Sequence, residues 1–170
     1  MTDQLNFDDV QDEPHRASDH ETCLYCKAEV LACPYCEKDT TFAATSAHRY
    51  QKDYGPLWEC KPCGAWVSCH KTTNKPKGTV ANGQDRLLRR QAHAAFDVLW
   101  KEKARRHALS WSRARQLGYA WLSEQLGVDE ARIAELHGDA LREVIRMCTP
   151  YVLMIEDNKN RRKEGKYAGR

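Results

Sequence analysis

Cys33-Pro34-Tyr35-Cys36 and Cys60-Lys61-Pro62-Cys63 are two closely spaced cysteine pairs, separated by residues 37–59. Two residues between paired cysteines let both sulfurs of one tight turn reach the same ion. Two such turns supply four thiolates, the donor set of a closed tetrahedral Zn²⁺ site, which is structural rather than catalytic. Pro62 stiffens the second turn, and Gly64 just beyond it can take the positive φ that such a knuckle needs. The competing reading is a set of redox dithiols or buried free thiols, and two matched knuckles weigh against it. The chemistry expected at Cys33, Cys36, Cys60 and Cys63 is therefore zinc ligation.

A third pair, Cys23-Leu24-Tyr25-Cys26, needs partners. Cys69-His70 follows the second knuckle, but neighbouring strand residues point to opposite faces, so at most one of the two serves a given ion. A second metal site would draw on Cys23, Cys26, Cys69 and His70, with His15 and His20 as further donors. The alternative is a pair of reduced thiols near the start of the chain. Cys148 sits on the apolar side of a helical pattern and reads as a core residue.

The chain has 170 residues, eight of them cysteine, and 41% are apolar, enough for a modest core. That length fits one domain, or a small module with a helical extension. The first residues contain no basic stretch followed by an apolar run, so no secretory leader is expected. No apolar run approaches the roughly 18 residues that cross a bilayer. Cysteines in that setting imply metal ligation in a reducing compartment, with a cytoplasmic location and no membrane partner. Charge is uneven. Residues 1–21 hold seven acids (Asp3, Asp8, Asp9, Asp12, Glu13, Asp19, Glu21) against Arg16 alone. The whole chain has 27 lysines and arginines and 24 acids, so the remainder has 26 and 17. The start reads as a disordered acidic arm and the end, from Lys159 onward, as a solvated basic tail. Both can be mere solubilising ends, or the arm can screen a basic surface until a polyanion displaces it.

The elements that must position the cysteines are short strands. Thr40 to Ala43 is β-prone, Tyr50 to Pro56 carries turn residues, Leu57 to Cys60 enters the second knuckle, and Ala65 to Cys69 leaves it with period-two alternation. A three-stranded ribbon with zinc at one end follows. Trp58 and Trp66 read as packing groups under it, or, if exposed, as stacking platforms for bases. Beyond a loop around 74–83, Asn82 with Asp85 resembles a capping box. Leu88, Ala92, Ala95 and Leu99 then mark a core-facing helix, widened by Phe96 and Trp100. Ser110 caps a second helix that ends near Gly127. Asp129 starts a short helix, and Asp139 starts a last one that Pro150 interrupts or kinks. The fold class is α+β: a disordered arm over 1–21, a zinc-ribbon module over 22–80, a bundle of three to four helices over 81–157 and a tail over 158–170.

Lys71, Lys75 and Lys77 share one polar loop, suited to phosphate contacts. Residues 86–115 hold nine basic side chains, including Arg86, Arg89, Arg90, Arg105 and Arg106, against Asp97 and Glu102. A charged face is usually only a solvated face, but an excess of one sign over such a length points to DNA or RNA.

Taken together, Cys33-x-x-Cys36, Cys60-x-x-Cys63-Gly64-Ala65-x-Val67-x-Cys69-His70-Lys71-x-Thr73, Ala92-His93-x-x-Phe96-Asp97-x-Leu99-Trp100 and Tyr119-x-Trp121-Leu122 resemble a family of small zinc-finger-containing proteins of bacteriophages and prophages, over roughly residues 30–150. The resemblance implies zinc and a phage origin, hence the host cytoplasm, but no established activity. The Cys23/Cys26 pair and both charged ends lie outside it.

His93 and Asp97 are i, i+4 on one helix face and, with His70, sketch a metal-dependent nuclease. The Asp-His pairing such enzymes place between the knuckles is missing, and the blander reading has Asp97 orienting His93 or fixing the junction of ribbon and helices. No glycine-rich nucleotide loop, nucleophile elbow or His-Glu-x-x-His motif occurs. Three readings result: a zinc-binding accessory protein that contacts nucleic acid, a phage factor that docks on a host polymerase or defence protein, and, behind these, a nuclease.

Overall fold

The structure, a computed structural model, describes residues 31–70 and 75–167. The acidic arm, the Cys23/Cys26 pair and Lys71 lie outside these residues. The chain divides into two compact units, Met1–Asn82 and Gly83–Arg170.

The first unit is built on three short antiparallel strands in the order β1 (Thr41–Ala43), β2 (Leu57–Cys60) and β3 (Ala65–Ser68). Phe42 faces Trp58 across one pairing and Trp58 faces Val67 across the next, so these three share one face. All three are buried, together with Ala65, Cys69 and Val80, in a small core that reaches the knuckles. The expected three-stranded ribbon is therefore present. The other face carries the row Thr41, Glu59 and Trp66. It is covered by a one-turn helix, α1 (Ala47–Tyr50), in a stretch whose sequence suggests only a loop. His48 Nε2 and Arg49 Nη2 lie 3.1 and 3.0 Å from Glu59 Oε2, and Tyr50 packs edge-on against Trp66. Burial raises the Glu59 pKa, but the His48 and Arg49 bonds outweigh it and hold the carboxyl below its ordinary value. Asp53 closes the following turn by accepting from the backbone N–H groups of Ser46 and Gly55. Trp58 is thus a core group, and Trp66 is half-covered by Tyr50 and Arg49.

The second unit packs three long helices, α2 (Gly83–His107), α3 (Trp111–Leu126) and α4 (Gly138–Tyr167). Ala92, Phe96, Trp100 and Ala104 form the buried stripe of α2, one residue every turn, with Ala114 and Leu122 from α3 and Leu141, Val144 and Cys148 from α4. Cys148 is fully buried, and burial alone pushes its thiol up to about 11. Ser110 caps α3 by accepting from the Arg113 N–H, and Gly127 ends it in the left-handed conformation, both at the expected positions.

Several expectations need correction. The short helix from Asp129 is only a turn, in which the Glu135 and Leu136 N–H groups reach the Arg132 carbonyl. A segment of that length gains too few bonds to offset helix nucleation, and burial of Ala131 and Ile133 holds it instead. Pro150 does not stop α4, because buried Leu141, Val144 and Cys148 before it and Ile155 after it secure the helix on both sides. The stretch from 158, expected as a tail, continues α4 as far as Tyr167. Asp85, read in sequence only for its place in a capping box, also reaches the start of α4, accepting from the Gly138 N–H at 3.0 Å and lying 3.0 Å from His137 Nδ1.

Gly118 marks the closest approach of α3 to α2. A Cβ there would stand 3.0 Å from Phe96 Cζ and 3.2 Å from Trp100 Cβ. Phe96 is buried in the core and has nowhere to go. Gly118→Ala is expected to destabilise the protein by about 1–3 kcal/mol through overpacking, despite a helix-propensity gain of about 1 kcal/mol, as read by urea unfolding.

Candidate metal centre

Each knuckle is itself a hairpin turn. In the first, Ala32 pairs with Asp39, and the Cys33 N–H reaches the Lys38 carbonyl at 2.8 Å. In the second, Cys60 pairs with Ala65, so residues 61–64 form the turn that joins β2 to β3. The two turns repeat one geometry. The Glu37 N–H donates to the Cys33 carbonyl at 2.8 Å, and the Gly64 N–H donates to the Cys60 carbonyl at 2.8 Å. Glu37 and Gly64 both take left-handed backbone, at φ 59° and 64°. The sequence signals this only at Gly64; in the first knuckle Glu37 fills the same place without glycine's freedom.

This geometry turns four sulfurs toward one point. The ligand atoms of Cys33, Cys36, Cys60 and Cys63 all lie within 4.8 Å of one another, and Cys36 Sγ is 3.5 Å from Cys60 Sγ. A tetrahedral zinc with Zn–S bonds of about 2.3 Å sets its sulfurs roughly 3.8 Å apart, so the donor set fits a metal ion. Cys33 and Cys60 are buried, while Cys36 and Cys63 are half-buried. The thiols compete for charge. The Lys38 backbone N–H and then Cys63 draw Cys36 down to about 7. A hydrogen bond with Cys36 and then burial push Cys63 up to about 12, and burial raises Cys60. Four crowded thiols resist ionising together, and a divalent cation removes that conflict. Among the described residues this is the one group of three or more ligating side chains brought together.

A model of a zinc-finger-containing domain family matches residues 29–151. The chain belongs to that family. No curated protein and no solved structure matches the chain. The family's zinc-finger-containing domain begins just before the first knuckle and takes in the sheet, α2, α3 and the first part of α4. No helix among the described residues is long and apolar enough to cross a membrane.

The other expected site residues are placed less uniformly. Cys69 is 3% exposed within the ribbon core and pairs with Pro76, whereas His70 is exposed. Lys75, Lys77 and Arg90 are exposed, and Arg86 is half-buried. Arg89 is an internal tie: its Nε donates to the Leu136 carbonyl at 3.0 Å, and Nη2 lies 3.2 Å from His137 Nε2. Arg105 and Arg106 both bond Glu102, Arg105 through two bonds of 2.8 and 2.6 Å and Arg106 through one of 2.7 Å. Arg105 first, then Arg106, hold Glu102 down at about 2 against the effect of burial. An acid three and four residues before two arginines is a helix pairing visible in sequence, and it spends part of their charge inside the molecule. Asp97 does not bond His93. Its oxygens accept from Trp100 Nε1 at 2.9 Å and Lys101 Nζ at 2.8 Å, within α2. Burial lowers the His93 pKa, with Asp97 opposing.

The matched knuckles lead to opposite outcomes for one substitution each. Gly64→Ala is expected to cost about 1–2 kcal/mol, because alanine is strained at this φ, while Glu37→Gly, which relieves the same strain, is expected to be neutral or stabilising. Thermal melting of the two metal-loaded variants beside the parent checks the pair.

Proposed function

We propose that this chain is a zinc-binding accessory module, phage-encoded and working in the host cytoplasm, that contacts nucleic acid. Zn²⁺ bound by Cys33, Cys36, Cys60 and Cys63 acts as a structural staple, since four thiolates leave no open position for substrate. The observation that carries this is the convergence of four sulfurs from two geometrically matched turns. A core as small as that of the first unit relies on such a staple. Nucleic acid is met by the 71–77 loop, through Lys71, Lys75 and Lys77, and by the basic surface of α2, where Arg90 is exposed, Arg105 and Arg106 are exposed but paired with Glu102, and Arg86 and Arg89 are half-buried. A nuclease is disfavoured by the engagement of Asp97 with Trp100 and Lys101.

A second reading, docking on a host protein, has one observation in its favour. Tyr151, Leu153 and Met154 form an exposed apolar stretch on α4.

Purified protein is expected to contain at least one zinc per chain by elemental analysis, and Cys33→Ser or Cys60→Ser to unfold the first unit. Folded metal-free protein with an unchanged spectrum would overturn the staple. Replacing Lys71, Lys75 and Lys77 together with alanine is expected to weaken binding to all DNA and RNA sequences alike. It should also flatten the salt dependence by about one unit for each phosphate that the lysines no longer neutralise. A triple variant that binds like the parent would show the loop to be merely solvated.

A further inference from the structure

Trp111 is the most exposed large apolar side chain among the described residues, at 67%. A tryptophan so exposed forgoes the burial that usually governs its placement. It is not loosely placed. Trp111 opens α3 immediately after the cap residue Ser110, and the Leu109 N–H donates to the Ala104 carbonyl at 3.1 Å, which closes a short corner from the end of α2. Its ring packs edge-to-face on Trp100, with centroids 5.4 Å apart. Trp100 is in turn fixed by the Asp97 carboxylate. The ring is thus held by a rigid partner while most of its surface faces solvent.

The flanking sequence is cationic. Residues 97–115 contain Lys101, Lys103, Arg105, Arg106, Arg113 and Arg115 against Asp97 and Glu102. Both acids are already engaged by Lys101, Arg105 and Arg106. All six basic side chains are exposed, and the Arg115 guanidinium lies 5.7 Å from the Tyr119 ring centroid, one turn along α3 from Trp111.

An exposed aromatic ring held rigid beside an excess of cations suits a chain that carries both flat rings and negative charge. We infer that Trp111 is a stacking anchor for a base of an unpaired nucleic-acid strand, whose phosphates run past Lys103, Arg113 and Arg115. The apolar face of a protein partner does not require this charge, and a paired duplex hides its ring faces. This inference rests on the nucleic-acid reading above and adds to it a preference for single strands.

The test uses the full-length, zinc-loaded chain, a fluorescein-labelled homothymidine strand and a duplex of matched length, followed by anisotropy over a range of salt. Trp111→Leu keeps apolar packing on Trp100 but removes the π-face, and Trp111→Tyr restores a smaller one. Trp111→Leu is expected to weaken strand binding by roughly 5- to 100-fold with little change in salt slope, to affect the duplex far less, and to be substantially rescued in Trp111→Tyr. If Trp111→Leu binds the strand like the parent while the lysine triple variant does not, the anchor is wrong and the nucleic-acid reading stands. An equal loss on strand and duplex also overturns the anchor. A parent that binds neither overturns both. A parental dimer that Trp111→Leu converts to monomers would show that the ring pairs two copies of the chain, which again overturns the inference.

Discussion

Four thiols must meet at one end of a three-stranded sheet, and much of the first unit follows from that demand. Thiols whose sulfurs lie within 4.8 Å of one another resist ionising together without a cation. The backbone meets the demand by making both knuckles hairpin turns with the same carbonyl-to-amide bond and the same left-handed residue after the second cysteine. β2 and β3 are paired directly by the second turn. The apolar core behind the sulfurs holds few large side chains, chiefly Phe42, Trp58, Val67 and Val80. In a unit of this size, metal ligation would contribute to folding in place of the apolar area that is missing.

The second unit needs no such device, because its helices bury a continuous stripe. Phe96 and Trp100 of α2 press on Gly118 of α3, and the close approach explains why a glycine is kept in the middle of a helix. Charged groups then fix the pieces the stripe does not. Asp85 takes the Gly138 N–H and faces His137, which ties the first turn of α2 to the first turn of α4. Arg89 secures the intervening segment through the Leu136 carbonyl. These are long-range pairings of side chains that a linear reading assigns to capping and to a solvent-facing charge stripe.

The same redistribution of charge bears on function. Glu102 and Asp97 absorb part of the basic excess of α2, so the number of lysines and arginines in sequence overstates the field available to a polyanion. Lys77, Arg90, Lys103, Arg113 and Arg115 are exposed. The family match from residue 29 to 151 covers both the cysteine turns and all of these positions.

The cysteine spacing alone determined the candidate site, and β-prone residues at 40–43 with period-two alternation at 65–69 marked two of the three strands, because these are local patterns that need only neighbours in the chain. The caps at Ser110 and Gly127 were legible for the same reason. Tertiary structure decided the rest. It made Glu37 adopt left-handed backbone where no glycine signalled it, and it folded α1 over Glu59 and Trp66 in a stretch with only turn residues to read. It also carried α4 through Pro150 and reduced the 129–136 segment to a turn. In each case the local preference is worth about a kilocalorie or a few, and burial of an apolar face or pairing of a charge across distant residues outweighed it.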